Sequence, residues 1–301
     1  MRLFENSELR SYGFSCFRRD GQGCQDELEF RESCGVLSKR SRQHVCDRFR
    51  EGVLAEIVRP QKGKNDPEIG PVAVMVSSEI DLNMLRRRFS LSQKSVLRLM
   101  NSRLYCDQGK EGKGVAIVGP VIGSPCAVLI LERLIALGAQ SIIFFGWCGS
   151  ISPDVNLGEI VLVDRAVSEE GTSKLYPVRG EVFEPSETIA RAARTALASH
   201  NASFCQGGVW TTDAPYRETE EKALHFRKMG ALAVEMELSA LFAVGRFRNV
   251  KVGGLLVVSD RLNNGKWRRG FSLPEFRQAR RVVSDVIYAM SGDLNDLRLI
   301  R

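Results

Sequence analysis

Residues 230–262, GALAVEMELSALFAVGRFRNVKVGGLLVVSDRL, are the stretch that decides the fold. The stretch opens with two acids in three positions, Glu235 and Glu237. An apolar-periodic segment, Leu238–Arg248, follows and predicts a helix. The continuous apolar run at 252–258 then predicts a buried strand. The stretch is therefore typical of a helix–strand unit in an α/β protein.

A second polar pair, Ser259-Asp260, comes directly after this predicted strand. Carboxylates are costly to bury, so acids at the edges of apolar segments are usually exposed or given a function. Here acids lie at both ends of one helix–strand unit. This arrangement predicts a pocket at the edge of a sheet.

The rest of residues 71–301 continues the alternation of short apolar runs with amphipathic segments. The predicted strands lie at 72–76, 114–118, 141–145, 159–163 and 207–212. The other predicted helices lie at 80–89, 124–137, 187–200, 218–228 and 274–290. Strands alternating with helices of this length indicate an α/β fold. We expect a single domain with a central, mostly parallel mixed sheet flanked by helices.

Residues 1–70 differ from the rest, because they mix charge, cysteine and glycine with little periodicity. We predict an N-terminal extension here, partly disordered or folded as a small cap, ahead of a main domain at 71–301. Four of the eight cysteines lie in this part, but none forms a C-x-x-C pair and only His44 is near them. Reduced thiols are the expectation, and a zinc site is the weaker alternative.

Composition indicates an ordinary globular protein, with 44% hydrophobic and 26% charged residues in 301. The formal net charge of +7 is dispersed, so it does not by itself imply nucleic-acid binding. No apolar run approaches the length of a membrane span, and the charged first twenty residues do not form a secretory signal. We therefore predict a cytoplasmic location, with neither nucleic acid nor membrane as a partner.

Turns at the ends of three predicted strands carry the remaining motifs. They read GPVIGSP at 119–125, GWCGS at 146–150 and DAPY at 213–216. Glycine at a strand end lets the backbone approach a ligand closely. Neither glycine loop is a G-x-G-x-x-G or P-loop motif, so dinucleotide and ATP binding have little support. No metal or organic cofactor is implied.

In their order and spacing, these motifs resemble the nucleoside phosphorylase and nucleosidase superfamily. That superfamily includes purine nucleoside phosphorylase, uridine phosphorylase and methylthioadenosine nucleosidase. The resemblance rests on the two glycine loops, on VNLGEIVLVD at 155–164, and on the VEME and VVSD segments. It covers roughly residues 72–291 and implies the fold of that superfamily.

The resemblance implies roles for the acids. Glu237 matches the residue that binds the ribose hydroxyls, Met236 the residue that packs on the sugar, and Glu235 lies beside them. Asp260 matches the acid that protonates or hydrogen-bonds purine N7. An acid at the base helps the leaving group depart, and a carboxylate at the sugar favours positive charge on the ring. Without the resemblance, a helix N-terminal acid pair and a strand-end cap explain the same residues equally well.

Further substrate contacts are implied for Ser259, Gly146 and Trp147. Tyr216 is expected to border the base, with a core position as the alternative. In this superfamily the Asp of the Ser-Asp pair accompanies purines, whereas uridine phosphorylases read uracil with a Gln and an Arg. No clear match to that Gln–Arg pair is present, so a purine-type nucleoside is favoured.

The sequence departs from the phosphorylases where they bind phosphate. Asp81 and Phe144 align with the two phosphate arginines, and Trp147 replaces the serine of the G-S-C-G loop. An acid and an indole repel or exclude phosphate, which needs donors and positive charge. Nucleosidases carry a water-activating acid after the first strand. Asp81 aligns near that acid, with Glu79 as the second choice, so hydrolysis is favoured.

Two alternatives stay open at this point. Arginines 86–88, or an arginine from another subunit, could supply an anion site for phosphate-dependent cleavage. Trp147 could instead mark a catalytically silent nucleoside-binding module. The expected partners are a nucleoside with water or phosphate, and the resemblance implies a homo-oligomer.

Overall fold

A computed structural model describes residues 56–93, 96–107, 114–263 and 265–296. The described residues from Val58 onward form one compact unit. Most of the predicted N-terminal extension lies outside the described residues, as do its cysteines and the weak zinc-site alternative. In the described ranges, no helix has the length and apolar character needed to cross a membrane. The cytoplasmic location stays a prediction.

Strands and helices alternate along most of the described chain. The strands are β1 Val72–Val76, β2 Val96–Leu99, β3 Ser102–Cys106, β4 Val115–Gly119, β5 Ser141–Ser150, β6 Ile160–Ser168, β7 Val182–Phe183, β8 Phe204–Thr211, β9 Ala231–Glu235, β10 Lys251–Asn263 and β11 Lys266–Arg269. The helices are α1 Glu79–Arg88, α2 Ser124–Leu137, α3 Glu187–Ser199, α4 Glu220–Lys228, α5 Leu238–Arg248 and α6 Pro274–Asp296. Short 3₁₀ helices occur at Ser173–Leu175 and Pro215–Arg217.

All the described strands join one mixed sheet, in the order β11-β10-β6-β8-β9-β5-β1-β4-β3-β2, with β7 paired to β6. Parallel pairs link β4, β1, β5 and β10, and a second parallel group links β6, β8 and β9. Strand β10 pairs with both β5 and β6, so five strands close into a ring. The predicted single α/β domain with a mixed sheet is confirmed. Its parallel character is confined to these two groups.

The core explains why the predicted strands read as continuous apolar runs. Every residue of β1 and β4 is buried, because both faces of the sheet are covered. Helix α5 is buried from Leu238 to Gly245 and packs against β10 and β6. Helix α2 ends at Gly138, whose left-handed backbone suits a glycine. Packing of these buried elements fixes the positions of the strand ends and of the polar residues that follow them.

Five of the described strands, β2, β3, β7, β9 and β11, escaped prediction. Strand β11 reads KWRR and is exposed at every position, so it has no apolar alternation to detect. Strands β5 and β10 are longer than predicted, because they continue to pair with each other beyond their apolar parts. The Gly-x-Cys-Gly motif is therefore the end of a strand rather than a loop after it.

The last residues of the predicted extension pack on the domain. Ile69 is 4% exposed, and its N–H donates to the carbonyl of Leu137 at 3.1 Å. Arg133 of α2 contacts the Asp66 carboxylate and the carbonyl of Gln61. The boundary at residue 70 stays a prediction.

Candidate active site

Glu235 ends β9 and fixes the start of α5. Its Oε2 accepts the N–H groups of Glu237 at 2.7 Å and Leu238 at 2.8 Å, and the Thr211 hydroxyl donates to its Oε1. Both carboxyl oxygens are thus occupied by protein donors. The predicted sugar contact of Glu235 does not fit this arrangement, because its carboxylate serves instead to hold the backbone of the acid loop.

Glu237 precedes α5 and is only 5% exposed. The N–H of Gly123 donates to its Oε1 at 2.6 Å, and the Ser124 hydroxyl donates to the carbonyl of half-buried Met236 at 2.8 Å. Gly123 has φ of +80°, a conformation that favours glycine. The loop after β4 and the acid loop before α5 are therefore bonded to each other, as a shared site requires.

The acid pair carries less charge than two free carboxylates. Burial raises the pKa of Glu237, and repulsion from Glu235 raises it further, against hydrogen bonds from the Gly123 and Met236 backbone. Burial also raises the pKa of Glu235, although Thr211 and the backbone of α5 favour its ionised form. A proton therefore remains on this pair at a higher pH than on ordinary carboxylates.

Asp260 is held at the end of β10 by two donors. The Ser259 hydroxyl lies 2.6 Å from its Oδ1, and Trp267 Nε1 donates to its Oδ2 at 2.7 Å. A Cβ on Gly149 would lie 3.2 Å from that Oδ2, so the G-x-C-G glycine leaves room for the carboxylate. The predicted neighbours Ser259 and Asp260 are therefore brought together, with Gly149 beside them.

The buried Cys148 thiol is affected by the charges of both Asp260 and Glu235. Its pKa is well above the ordinary value because it is buried, and both Asp260 and Glu235 add repulsion. The strand pairings bring the same segments together, because Gly149, next to Cys148, pairs with Asp260 of β10 and with Val234 of β9. Residues that are far apart in sequence, Cys148, Glu235 and Asp260, therefore lie in the same part of the domain.

Asp81 lies fully buried in a saturated cluster. Its Oδ1 accepts Arg280 Nε at 2.7 Å, and its Oδ2 accepts Trp147 Nε1 at 2.7 Å and the Ser78 hydroxyl at 2.6 Å. A carboxylate paired with a buried cation and closed off from solvent has no free lone pair for a water molecule. The prediction that Asp81 activates water does not fit this geometry. The second choice, Glu79, is exposed and paired with Arg103.

Trp147 belongs to the same cluster. The Arg280 guanidinium lies 5.2 Å from its ring centroid, and the Phe276 ring packs edge-on at 5.1 Å. The predicted substrate contact of Trp147 therefore competes with packing against α6. Arg280 gave no sequence signal, because it lies 199 positions from Asp81 in an otherwise ordinary helix.

Two other predicted contacts lie elsewhere. A Cβ on Gly146 would come within 2.6 Å of the Phe144 ring and 3.1 Å of Leu256, so core packing requires this glycine rather than a substrate. Tyr216 is 96% exposed on the 3₁₀ helix Pro215–Arg217, so the core alternative is wrong and a place at the base stays a prediction.

Sequence analysis also missed Trp267. The indole donates to Asp260 from across the β10–β11 hairpin, in which Leu262 pairs with Trp267. The Asn-Gly dipeptide at 264–265 was an available signal, since Asn-Gly is typical of tight hairpin turns. A hairpin predicted there would have placed a residue opposite the Ser-Asp end of β10.

A further acid, Glu218, faces this region. Burial raises its pKa to about 7, with repulsion from Asp260 and Glu169. Because the folded pKa lies above the ordinary value, the folded state binds more protons than the unfolded state between pH 4.5 and pH 7. The stabilising effect of neutral Glu218 is therefore present below that window and lost as pH rises through it.

We predict that Glu218→Gln flattens this pH dependence. The variant should gain stability relative to the parent protein as pH rises from about 4.5 to about 7. Urea unfolding at a series of pH values measures the difference, with the exposed Glu220→Gln as matched control. A stability difference that stays constant across this window, or that Glu220→Gln reproduces, contradicts the prediction.

With this geometry established, comparison with known proteins decides the family. A family model described as the phosphorylase superfamily matches residues 71–290. The chain belongs to the phosphorylase superfamily. The resemblance to nucleoside phosphorylases and nucleosidases is confirmed, and members of this superfamily are enzymes that cleave glycosyl bonds.

The proteins to which this chain is similar include nucleoside phosphorylases and a nucleosidase. The chain is 30% identical to a DeoD-type purine nucleoside phosphorylase of Myxococcus xanthus, over 66% of this chain and 84% of the relative. It is similar to purine nucleoside phosphorylase from Toxoplasma gondii in complex with immucillin-H, with TM-score 0.68, 18% identity and coverage of 81% and 99%. AMP nucleosidase from Bacteroides thetaiotaomicron gives TM-score 0.58, 22% identity and coverage of 73% and 89%. At these identities the two structures show the fold alone.

Two of the three arginines at 86–88 already make contacts within this superfamily member. Arg86 donates to the carbonyl of Leu91 at 2.9 Å, and Arg88 pairs with Asp285 at 2.7 Å. Both side chains are engaged at the C-terminal end of α1. This arrangement weakens the alternative in which the triplet binds phosphate.

Proposed function

We propose that this enzyme cleaves the N-glycosidic bond of a purine-type nucleoside or its derivative, with water as the acceptor. One observation carries the proposal. Glu237, bonded to Gly123, and Asp260, bonded to Ser259 and Trp267, belong to segments that meet at β5, which pairs with both β9 and β10. These are the acids expected at the sugar and at the base.

Departure of the base is the step assigned to Asp260. As the bond to C1′ weakens, negative charge develops on the purine, and a proton delivered at N7 neutralises it. The carboxyl group must be held in one orientation for this transfer. Donors on both of its oxygens, Ser259 and Trp267, provide that orientation.

Binding of the sugar is the step assigned to Glu237. Its carboxyl group accepts hydrogen bonds from ribose hydroxyls and so fixes the sugar, and in its ionised form it also favours the positive charge that develops on the ring. The backbone around it is held by Glu235 and by the loop at Gly123. Glu235 thus acts on the sugar through Glu237 rather than by direct contact.

The Asp81 cluster supports water rather than phosphate as acceptor. An anionic carboxylate and an indole occupy the positions that the phosphorylases use for an arginine and a serine, and the nearby Arg280 is already paired with Asp81. A dianion brought against this cluster would meet a buried acid. Water that adds to the oxocarbenium-like C1′ releases one proton to solvent, and Asp260 regains from solvent the proton that it gave to the base, so the step balances without a further protein base.

Phosphate-dependent cleavage is the second candidate, and the similarity to purine nucleoside phosphorylase favours it. A panel of purine and pyrimidine nucleosides, assayed with and without inorganic phosphate, separates the two. We expect base release from purine substrates at the same rate in both buffers. Release that requires phosphate contradicts hydrolysis, and binding without release from any substrate contradicts the enzymatic proposal.

A further inference from the structure

The β10–β11 hairpin presents two faces, and one carries Asp260. Paired residues of an antiparallel ladder point to the same face, and alternate positions point to opposite faces. Asp260 pairs with Arg269, and Leu262 pairs with Trp267. Asp260, Trp267 and Arg269 therefore share one face.

The opposite face carries its own cations. Arg261 pairs with Arg268, and both belong to positions that alternate with Asp260 and Arg269. Arg261 is tied to the loop before β6 by hydrogen bonds to Asn156 at 3.2 Å and to the carbonyl of Pro153 at 2.9 Å. Arg268 is therefore adjacent to Arg269 in sequence and carries the same charge, but it lies on the face opposite to that of Asp260.

Arg269 is an available cation beside the candidate acid. It is exposed, and among the described residues its recorded contact is with the Trp267 ring, at 5.4 Å from guanidinium carbon to ring centroid. No ion pair within the described ranges engages it, although it stands directly opposite Asp260. The Glu220 carboxylate of α4 approaches the hairpin at the turn residue Gly265.

We propose that Arg269 recognises a phosphate group on the substrate, so that the preferred substrate is a purine nucleotide rather than the neutral nucleoside. This inference rests on the proposed function and names its substrate class. Guanidinium groups bind phosphate through paired, charge-assisted hydrogen bonds, and stacking on Trp267 holds the Arg269 side chain at the site.

Edge-strand protection is the competing explanation for these charges. Strand β11 is the last strand of the sheet, and charged side chains on an edge discourage pairing with other chains. That explanation treats Arg268 and Arg269 alike. Substrate recognition instead distinguishes them, because only Arg269 shares the face of Asp260. The two arginines are therefore a matched pair for a test.

The test compares Arg269→Gln with Arg268→Gln in the full chain. Substrates are a purine nucleoside and its 5′-monophosphate, and both kcat/KM and equilibrium binding are measured. We expect the parent protein and Arg268→Gln to prefer the nucleotide. Arg269→Gln should lose about 10- to 100-fold in nucleotide kcat/KM, the effect of a lost charge-assisted hydrogen bond, with little change for the nucleoside. Added salt should weaken the nucleotide preference of the parent.

Three results overturn the inference: no nucleotide preference in the parent protein, equal effects of the two substitutions, or an equal loss for nucleoside and nucleotide in Arg269→Gln. The last of these would mean that Arg269 supports the base site or the hairpin. If nucleotide binding shows the predicted pattern but no substrate releases its base, the inference stands and the proposed function fails. If purine release occurs without nucleotide preference, the proposed function stands and the inference fails.

Discussion

Asp260→Asn is expected to lower base release from a purine substrate by about 100- to 10,000-fold, the usual contribution of a general acid. The amide keeps the shape of the side chain and can still contact Ser259 and Trp267, but it cannot deliver a proton to the leaving base. Turnover under saturating substrate measures the effect. Substrate binding should change much less, because sugar recognition by Glu237 is unaffected.

The matched control for this substitution is Asp285→Asn. Asp285 pairs with Arg88 on the surface at 2.7 Å, and both side chains are more than 40% exposed. The control should keep full activity, since such pairs contribute about 0–1 kcal/mol. Unfolding curves for both variants confirm that they fold. An Asp260→Asn protein that folds and turns over purine substrate normally contradicts the role given to Asp260.

Arg280→Met is expected to lower the free energy of unfolding by about 3–5 kcal/mol. Arg280 is 7% exposed and Asp81 is 0% exposed, and the two are joined by hydrogen bonds of 2.6 and 2.7 Å. The substitution leaves the Asp81 carboxylate buried without its cation. The donors from Trp147 and Ser78 remain but do not neutralise it. Urea unfolding measures the loss.

Two controls separate this cost from general disruption. Arg88→Ala, which removes the exposed pair with Asp285, should cost about 0–1 kcal/mol. The double variant Asp81→Asn/Arg280→Met should regain part of the loss, because a neutral amide is less costly to bury than an unpaired carboxylate. A single Arg280→Met substitution that costs no more than Arg88→Ala would contradict the structural role of the pair.

Local patterns located the two acids that we propose for the sugar and the base relative to their helix and strand. Glu237 directly precedes an apolar segment whose periodicity predicts α5, and Asp260 follows an apolar run that predicts a strand, although β10 continues past Asp260 to Asn263. The bounds of β1, α2 and α5 were predicted to the residue for the same reason. Resemblance then supplied roles that the pattern left open.

Long-range contacts explain why the surroundings of two predicted site residues do not match their expected roles. Whether Asp81 is free or saturated depends on Arg280, a residue from the last helix that no local pattern connects with the first. Likewise, the role of Glu235 depends on Thr211, which β8 brings beside β9. Both acids looked functional in sequence because buried acids often are. Each is instead engaged by protein donors.

The β10–β11 hairpin was missed for a different reason. Its outer strand is charged and exposed throughout, so it lacks the apolar alternation by which strands are predicted. Its place in the structure comes from the backbone ladder with β10 and from the bond between Trp267 and Asp260. A residue such as Trp267, which contacts the site from an exposed edge strand, is therefore difficult to predict from sequence.

The measurement that tests the central claim most directly is product analysis in water enriched in oxygen-18. A purine nucleoside and its 5′-monophosphate are incubated with the protein, with and without inorganic phosphate, and the sugar product is examined by mass spectrometry. We predict free base and a sugar that carries one heavy oxygen at C1′, formed at equal rates in both buffers. A sugar 1-phosphate formed only when phosphate is present, or no base release under either condition, would contradict it.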